Sequence, residues 1–185
     1  MVTIQRWSKG KSETVIRNQW INLTSNEFFN DGVKIAPYYL FHYPDWVVVV
    51  PVTKQGKIVL VRQYRPGIDQ VDWELPSGAM DKRDDSPEAA AVRELREETG
   101  YAGVEAEFIA SLTVHPSAFC NRCYIFLVQE SEKVSEPQPD ETEWIESAEF
   151  TWSQLEDMIM QSEFIMAPHI GALYQTRLKF PKIFV

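Results

Sequence analysis

Apolar residues recur along this chain in short runs of strand length, separated by turn residues, and helical spacing takes over only in its second half. The clearest run is Trp46-Val47-Val48-Val49-Val50, nearly continuous in apolar residues, as a strand covered on both faces requires. Asp45–Pro51 and Lys57–Tyr64 predict a hairpin around Lys54-Gln55-Gly56. Upstream, Glu13–Thr24 carries Val15, Ile16, Trp20, Ile21 and Leu23 and predicts strand, and Tyr38–His42 predicts another after the turn-like Asn30-Asp31-Gly32. Downstream, Asp72–Pro76, Val104–Val114, Tyr124–Gln129 and Glu149–Trp152 predict further strands. Between the last two, Glu130–Glu143 is acidic, contains prolines and has little apolar content, so it predicts a loop. Helices are expected over 87–99, over 153–161 with Ser153 as its cap, and over 167–178. Strands with one central helix and two near the end imply an α+β fold, an α/β/α sandwich around a mixed sheet.

The stretch from Gly78 to Tyr101, GAMDKRDDSPEAAAVRELREETGY, is the most unusual. Ser86 can cap its helix, Pro87 suits the first helical position, and Gly100 supplies a left-handed stop. At roughly 100° per residue, Glu94, Glu97 and Glu98 fall within about 100° of one another, while Ala91, Val92 and Leu95 form an adjacent apolar flank. Like charges at this spacing repel by a few tenths of a kcal/mol each, and carboxylates near a helix C-terminus oppose the macrodipole by roughly 0.3–1 kcal/mol. Two explanations compete: a solvated helix laced by pairs such as Arg93 with Glu97, or a divalent-cation site, because hard cations take clustered carboxylate oxygens.

Composition narrows the partners. A chain of 185 residues is long enough for one sizeable core and short for two. A net charge of -9 argues against a general nucleic-acid or anionic-membrane surface, yet cations and a few placed arginines would admit a small anionic substrate. No apolar run approaches the roughly 20 residues of a membrane span, and the start MVTIQRWSKGKSE lacks a signal-peptide core, so a cytoplasmic protein is expected. Cys120 and Cys123 form a lone CxxC without the second pair, or suitably spaced histidines, that a zinc site needs. In Arg62-Gln63-Tyr64-Arg65-Pro66 the arginine forks suit phosphate, with solubilising charge on an edge strand as the plainer explanation.

The run Arg93-Glu94-Leu95-Arg96-Glu97-Glu98-Thr99-Gly100-Tyr101 resembles the second half of the Nudix hydrolase signature at every fixed position. That signature is Gly, five residues, Glu, seven residues, then Arg-Glu-apolar-any-Glu-Glu-any-Gly-apolar. The first half departs from it: counting back from Arg93, the signature Glu falls on Asp85, and Gly78 stands one residue too far upstream. RQYRP followed by Trp73-Glu74-Leu75-Pro76-Ser77-Gly78, and Pro116 beyond the box, are similar to the ADP-ribose and nucleotide-sugar pyrophosphatase branch.

The resemblance implies a Nudix fold and hydrolysis of the pyrophosphate of a nucleoside diphosphate sugar such as ADP-ribose. The implied cofactor is Mg2+ or Mn2+, held by Glu94, Glu97, Glu98, the Ser77 carbonyl and a late Glu143, with Arg93 orienting the carboxylates and Glu141 as candidate base. From its own position, Glu74 is expected to pair with Arg93, to help order the site or to be a plain strand residue; by the resemblance, Arg62 and Arg65 would meet phosphate or the terminal ribose, and Trp20 would stack on the base or simply belong to the core. The resemblance also implies that residues 1–42 form a β-rich segment exchanged across a homodimer, with 43–185 as the catalytic domain. GDP-mannose or a broader substrate set is the alternative enzymatic reading, and a scaffold that binds nucleotide sugars with little turnover is the alternative class.

Overall fold

In the computed structural model, which describes residues 4–140 and 142–184, the chain divides into two compact units. One comprises the residues up to Pro44 together with Thr113–Arg122, and the other comprises Asp45–Leu112 and the residues from Cys123 onward.

The first unit holds a three-stranded antiparallel sheet of β1 (Ser8–Arg17), β2 (Asn22–Asn30) and β3 (Val33–Phe41), in that order. The single strand expected over Glu13–Thr24 is two strands. The Asn18 side chain accepts the Trp20 and Ile21 N–H groups at 2.8 and 2.9 Å, and this local turn competes with continued pairing. Asp31 and Gly32, both at positive φ, form the expected turn, and the strand that follows starts at Val33 rather than Tyr38. Trp7, Phe28 and Tyr38 pack edge-on or tilted with ring centres 5.3–6.1 Å apart. Phe119 meets Phe41 at 5.5 Å and ties Thr113–Arg122 to this unit.

The second unit is built on β4 (Trp46–Thr53), which is buried from Val47 onward. It pairs with β5 (Ile58–Arg65) and runs parallel to β10 (Cys123–Lys133). Around them lie β6 (Gln70–Glu74), β7 (Ser77–Ala79), β8 (Tyr101–Ala102), β9 (Ala106–Leu112) and β11 (Glu146–Phe150), giving an eight-stranded mixed sheet. Successive strand residues face opposite ways, so the valine run serves two cores at once. Val48, Val50 and Val52 pack with Leu155 of α2 (Trp152–Met160) and Leu173 of α3 (Ala167–Lys179). Val47 and Val49 pack with Ala90, Ala91 and Leu95 of α1 (Pro87–Thr99). That is the α/β/α sandwich expected from the sequence. No described helix is long and apolar enough to cross a membrane.

Two boundaries differ from expectation. β10 continues to Lys133, through residues expected to be loop: a register shift after Val128 and a positive φ at Glu130 let Ser131 pair with Thr53 and Glu132 with Ala102. α2 is capped by Thr151, not Ser153. The Thr151 hydroxyl accepts the Gln154 N–H at 3.3 Å while the Gln154 side chain accepts the Thr151 N–H at 2.8 Å, a reciprocal capping box. Thr151→Ala should therefore cost about 1 kcal/mol in chemical denaturation. Ser153→Ala should change stability by less than about 0.5 kcal/mol.

Candidate active site

β7 and α1 together build the acidic site. Pairing of Ser77 with Val48 and of Gly78 with Val47 lays β7 along β4, whose Val47 and Val49 pack against α1. α1 forms over the expected residues: the Ser86 hydroxyl accepts the Ala89 N–H at 3.1 Å, and Gly100 ends the helix at φ 74°. Glu98, in the last turn, is 3% exposed, and its carboxylate accepts the Ser77 N–H at 3.0 Å. Glu94 lies one turn earlier against Gly78, where an added Cβ would stand 2.1 Å from the Glu94 Oε1. A side chain at this position would displace the Glu94 carboxylate from its present place.

Arg93 hydrogen-bonds to three carboxylates of this region. Its Nε and Nη2 donate to the two oxygens of Asp84, each at 2.9 Å, and its Nη1 donates to Glu94 at 2.8 Å and Glu97 at 2.9 Å. A bidentate guanidinium–carboxylate pair fixes direction as well as distance. Asp84 thus takes the place expected for Asp85, which is exposed. Counted forward from Gly78, five residues (79–83) precede Asp84, as the signature asks, so the extra residue lies between Asp84 and Arg93. Glu74 does not reach Arg93; it is fully buried and accepts from Nε and Nη2 of Arg65 at 2.6 Å each.

The electrostatics are uneven. Burial pushes the Glu98 carboxyl well above the usual range, neighbouring Glu94, Glu143 and Glu74 push it further, and the Ser77 N–H opposes them. Burial also raises Glu94, against the pull of Arg93. Asp84 behaves oppositely, lowered to about 2 chiefly by its hydrogen bonds from Arg93. Arginine charge is spent on Asp84 and Glu74, and Glu98 has no cation of its own among its hydrogen-bond partners.

A cleft of about 500 Å3 opens over this group, lined by Gln63, Arg65, Ser77, Gly78, Glu98 and Glu143 among others. Arg62, three positions before Arg65 and so on the other face of β5, lines a second cleft of about 640 Å3 with Tyr64 and Trp144. It donates to Glu146 at 3.0 Å, and the two arginines do not converge. Gln63 and Glu143 line both clefts. The site thus gathers Ser77, Arg93, Glu94, Glu97 and Glu98, with Arg65 and Glu143 on the cleft above. Glu141 lies outside the described residues, and Trp20 and Pro116 belong to the first unit. Asp84 and the seat at Gly78 were missed, although the spacing forward from Gly78 carried the signal.

Among the described residues, no three acidic, histidine or cysteine side chains are gathered closely enough to enclose an ion. The donors fit one in kind: Glu94, Glu97, Glu98, Glu143 and the Ser77 carbonyl offer hard oxygens, and a carboxylate as buried as Glu98 gains from a nearby cation.

Residues 42–173 match the sequence profile described as the NUDIX domain. The chain belongs to the Nudix family. An ADP-ribose pyrophosphatase of Bacillus subtilis is 31% identical over 168 residues, 90% of each chain. The ADP compounds hydrolase NudE of Escherichia coli is 27% identical over 173 residues, 89% of this chain and 88% of that one. The crystal structure of an ADP compounds hydrolase shares the fold with a TM-score of 0.85 at 24% identity, covering 98% of this chain and 97% of that chain. This Nudix protein therefore sits among pyrophosphatases of the ADP-ribose-like branch, as its box and its WELPSG run implied.

The ion pair of the Nudix box separates two adjacent aspartates. Asp84→Asn should lower stability by roughly 1.5–3 kcal/mol, as loss of hydrogen bonds to a charged group does, and Asp85→Asn should stay within about 0.5 kcal/mol in urea denaturation at pH 7. A depressed carboxyl contributes above its ordinary value of 3.8 and loses that contribution as pH falls through about 2. The gap between wild type and Asp84→Asn should accordingly close in that acid window.

Proposed function

We propose that this Nudix protein hydrolyses the pyrophosphate of a nucleoside diphosphate sugar of the ADP-ribose type, giving a nucleoside monophosphate and a sugar phosphate. The observation that carries the reading is the buried Glu98 carboxylate on a cleft whose wall also presents Arg65, with Glu94 seated one turn away against Gly78. Glu94, Glu97, Glu98 and the Ser77 carbonyl, joined by Glu143, would hold Mg2+ or Mn2+. When bound, such a cation neutralises charge on phosphate oxygens and lowers the pKa of a water. The residues of the chain do the rest. Arg93 holds the carboxylates in register and stays off the substrate. Arg65, with Nε and Nη2 taken by Glu74, offers its remaining Nη1 to a phosphate oxygen.

A carboxylate from Glu141 or Glu143 takes the proton of the attacking water, and Glu143 lines the cleft. Arg62, on the second cleft, contacts the distal part of the substrate. The reading extends to a cytoplasmic homodimer joined through residues 1–42. Support comes from the apolar side chains that this segment leaves exposed, among them Val15, Ile16 and Val33.

Purified protein given a panel of nucleotide sugars with Mg2+ or Mn2+ should convert ADP-ribose to AMP and ribose 5-phosphate, identified by mass. Glu98→Gln should lower kcat by at least about 100-fold, the order seen when one transition-state charge contact is removed. Absence of turnover on every member of the panel, or full activity in Glu98→Gln, would overturn the reading.

A further inference from the structure

Leu75 is fully buried, and its N–H lies beyond the ladder, because β6 ends at Glu74 opposite Val61. A buried amide without an acceptor bears its whole desolvation cost. The acceptor comes from α3: Nδ1 of His169 takes the Leu75 N–H at 3.1 Å.

His169 is itself fully buried, with the Trp46 ring centre 5.9 Å away and that of Phe164 6.5 Å away. A ring whose Nδ1 accepts must carry its hydrogen on Nε2, and that nitrogen is buried without a hydrogen-bond partner among the described residues. Burial, with the nearby charge of Arg65, lowers its pKa to about 3, so the ring stays neutral and Nδ1 stays an acceptor. For packing alone, leucine or phenylalanine would fill such a pocket without stranding a polar N–H. The acceptor is what histidine adds.

What hangs on the Leu75 amide is the stretch from Glu74 to Ser77. Glu74 clamps Arg65, the Pro76 carbonyl accepts the Val49 N–H at 2.9 Å, and the Ser77 N–H donates to Glu98. We infer that His169 is a positioning residue for the active site: by holding the Leu75 amide it sets the two flanking elements, the Arg65 clamp and the Ser77 contact with Glu98. Its catalytic consequence rests on the pyrophosphatase reading above, whereas the anchoring itself does not.

Three substitutions separate anchoring from packing. His169→Asn places an acceptor near the position of Nδ1, His169→Gln places its amide near Nε2, and His169→Leu has no acceptor. Hydrogen exchange at the Leu75 amide is measured beside kcat, KM and Tm. In the Gln and Leu variants, Leu75 exchange should rise and kcat fall by about tenfold or more, as when a supporting hydrogen bond behind a site is removed. His169→Asn should recover both to within about threefold of wild type, a factor worth less than one supporting hydrogen bond. An Asn variant no better than the Leu variant, or kcat losses that simply follow Tm, would overturn the inference. Should the Leu variant not fold, the Asn and Gln pair still decides. If the wild type hydrolyses no nucleotide sugar, the pyrophosphatase reading falls, while unchanged Leu75 protection in His169→Gln would separately overturn the anchoring.

Discussion

The Glu98 carboxylate stands where almost no water reaches it, and its hydrogen-bond partner is a neutral backbone N–H. Taking a charge out of water is expensive, and one amide returns only part of that cost. The surroundings sharpen the penalty: Glu94 is pressed onto the bare Cα of Gly78, and Glu74 and Glu143 add negative potential. A nearby positive charge would lower this penalty.

The fold holds that charge in place from two sides. On one, α1 packs Ala90, Ala91 and Leu95 against Val47 and Val49, so the acidic face of the helix is turned by its apolar flank. On the other, β7 is fixed by pairing to β4, and the stretch leading into it is tied to α3 by His169. Arg93 and Arg65 each neutralise a carboxylate outside the Glu94, Glu97 and Glu98 set, Asp84 and Glu74 respectively. Arg93 divides its donors between Asp84 and the helix carboxylates, so it steers Glu94 and Glu97 without discharging Glu98.

Much of this was legible in the sequence because the signals were local. Ser86, Pro87 and Gly100 bounded α1, the valine run announced a doubly covered strand, and Arg93–Tyr101 announced the family. The errors arose where two local signals competed or where a partner lay far along the chain. Asp84 and Asp85 are adjacent, and the register counted from Arg93 conflicts with the register counted from Gly78; only the three-dimensional pairing decides between them. Thr151 and Ser153 are both good caps, and the reciprocal bond with Gln154 selects the former. Glu74 was matched with the wrong arginine because strand register, which sets Arg65 on its face of the sheet, cannot be read from RQYRP alone. The bond from Leu75 to His169 spans 94 residues and leaves no local trace. With Asp84 in the ion pair, the first half of the box supplies a carboxylate to Arg93 although it is irregular in length.

Glu98 is a buried carboxyl whose hydrogen-bond partner, the Ser77 N–H, is neutral, and under the proposed function a bound cation would offset its charge. A carboxyl raised above its ordinary value of 4.5 removes stability as pH rises past that value, so at pH 7.5 the metal-free protein bears the penalty. The direct measurement is the thermal midpoint of wild type and Glu98→Gln at pH 7.5, in chelator and then in excess Mn2+. In chelator, Glu98→Gln should melt at least about 2 °C higher than wild type, since a neutral amide keeps an acceptor for the Ser77 N–H without the buried charge. Mn2+ should raise the wild-type midpoint and leave that of the variant nearly unchanged. A wild type that melts higher in chelator, or a Mn2+ shift equal in both proteins, would contradict the account.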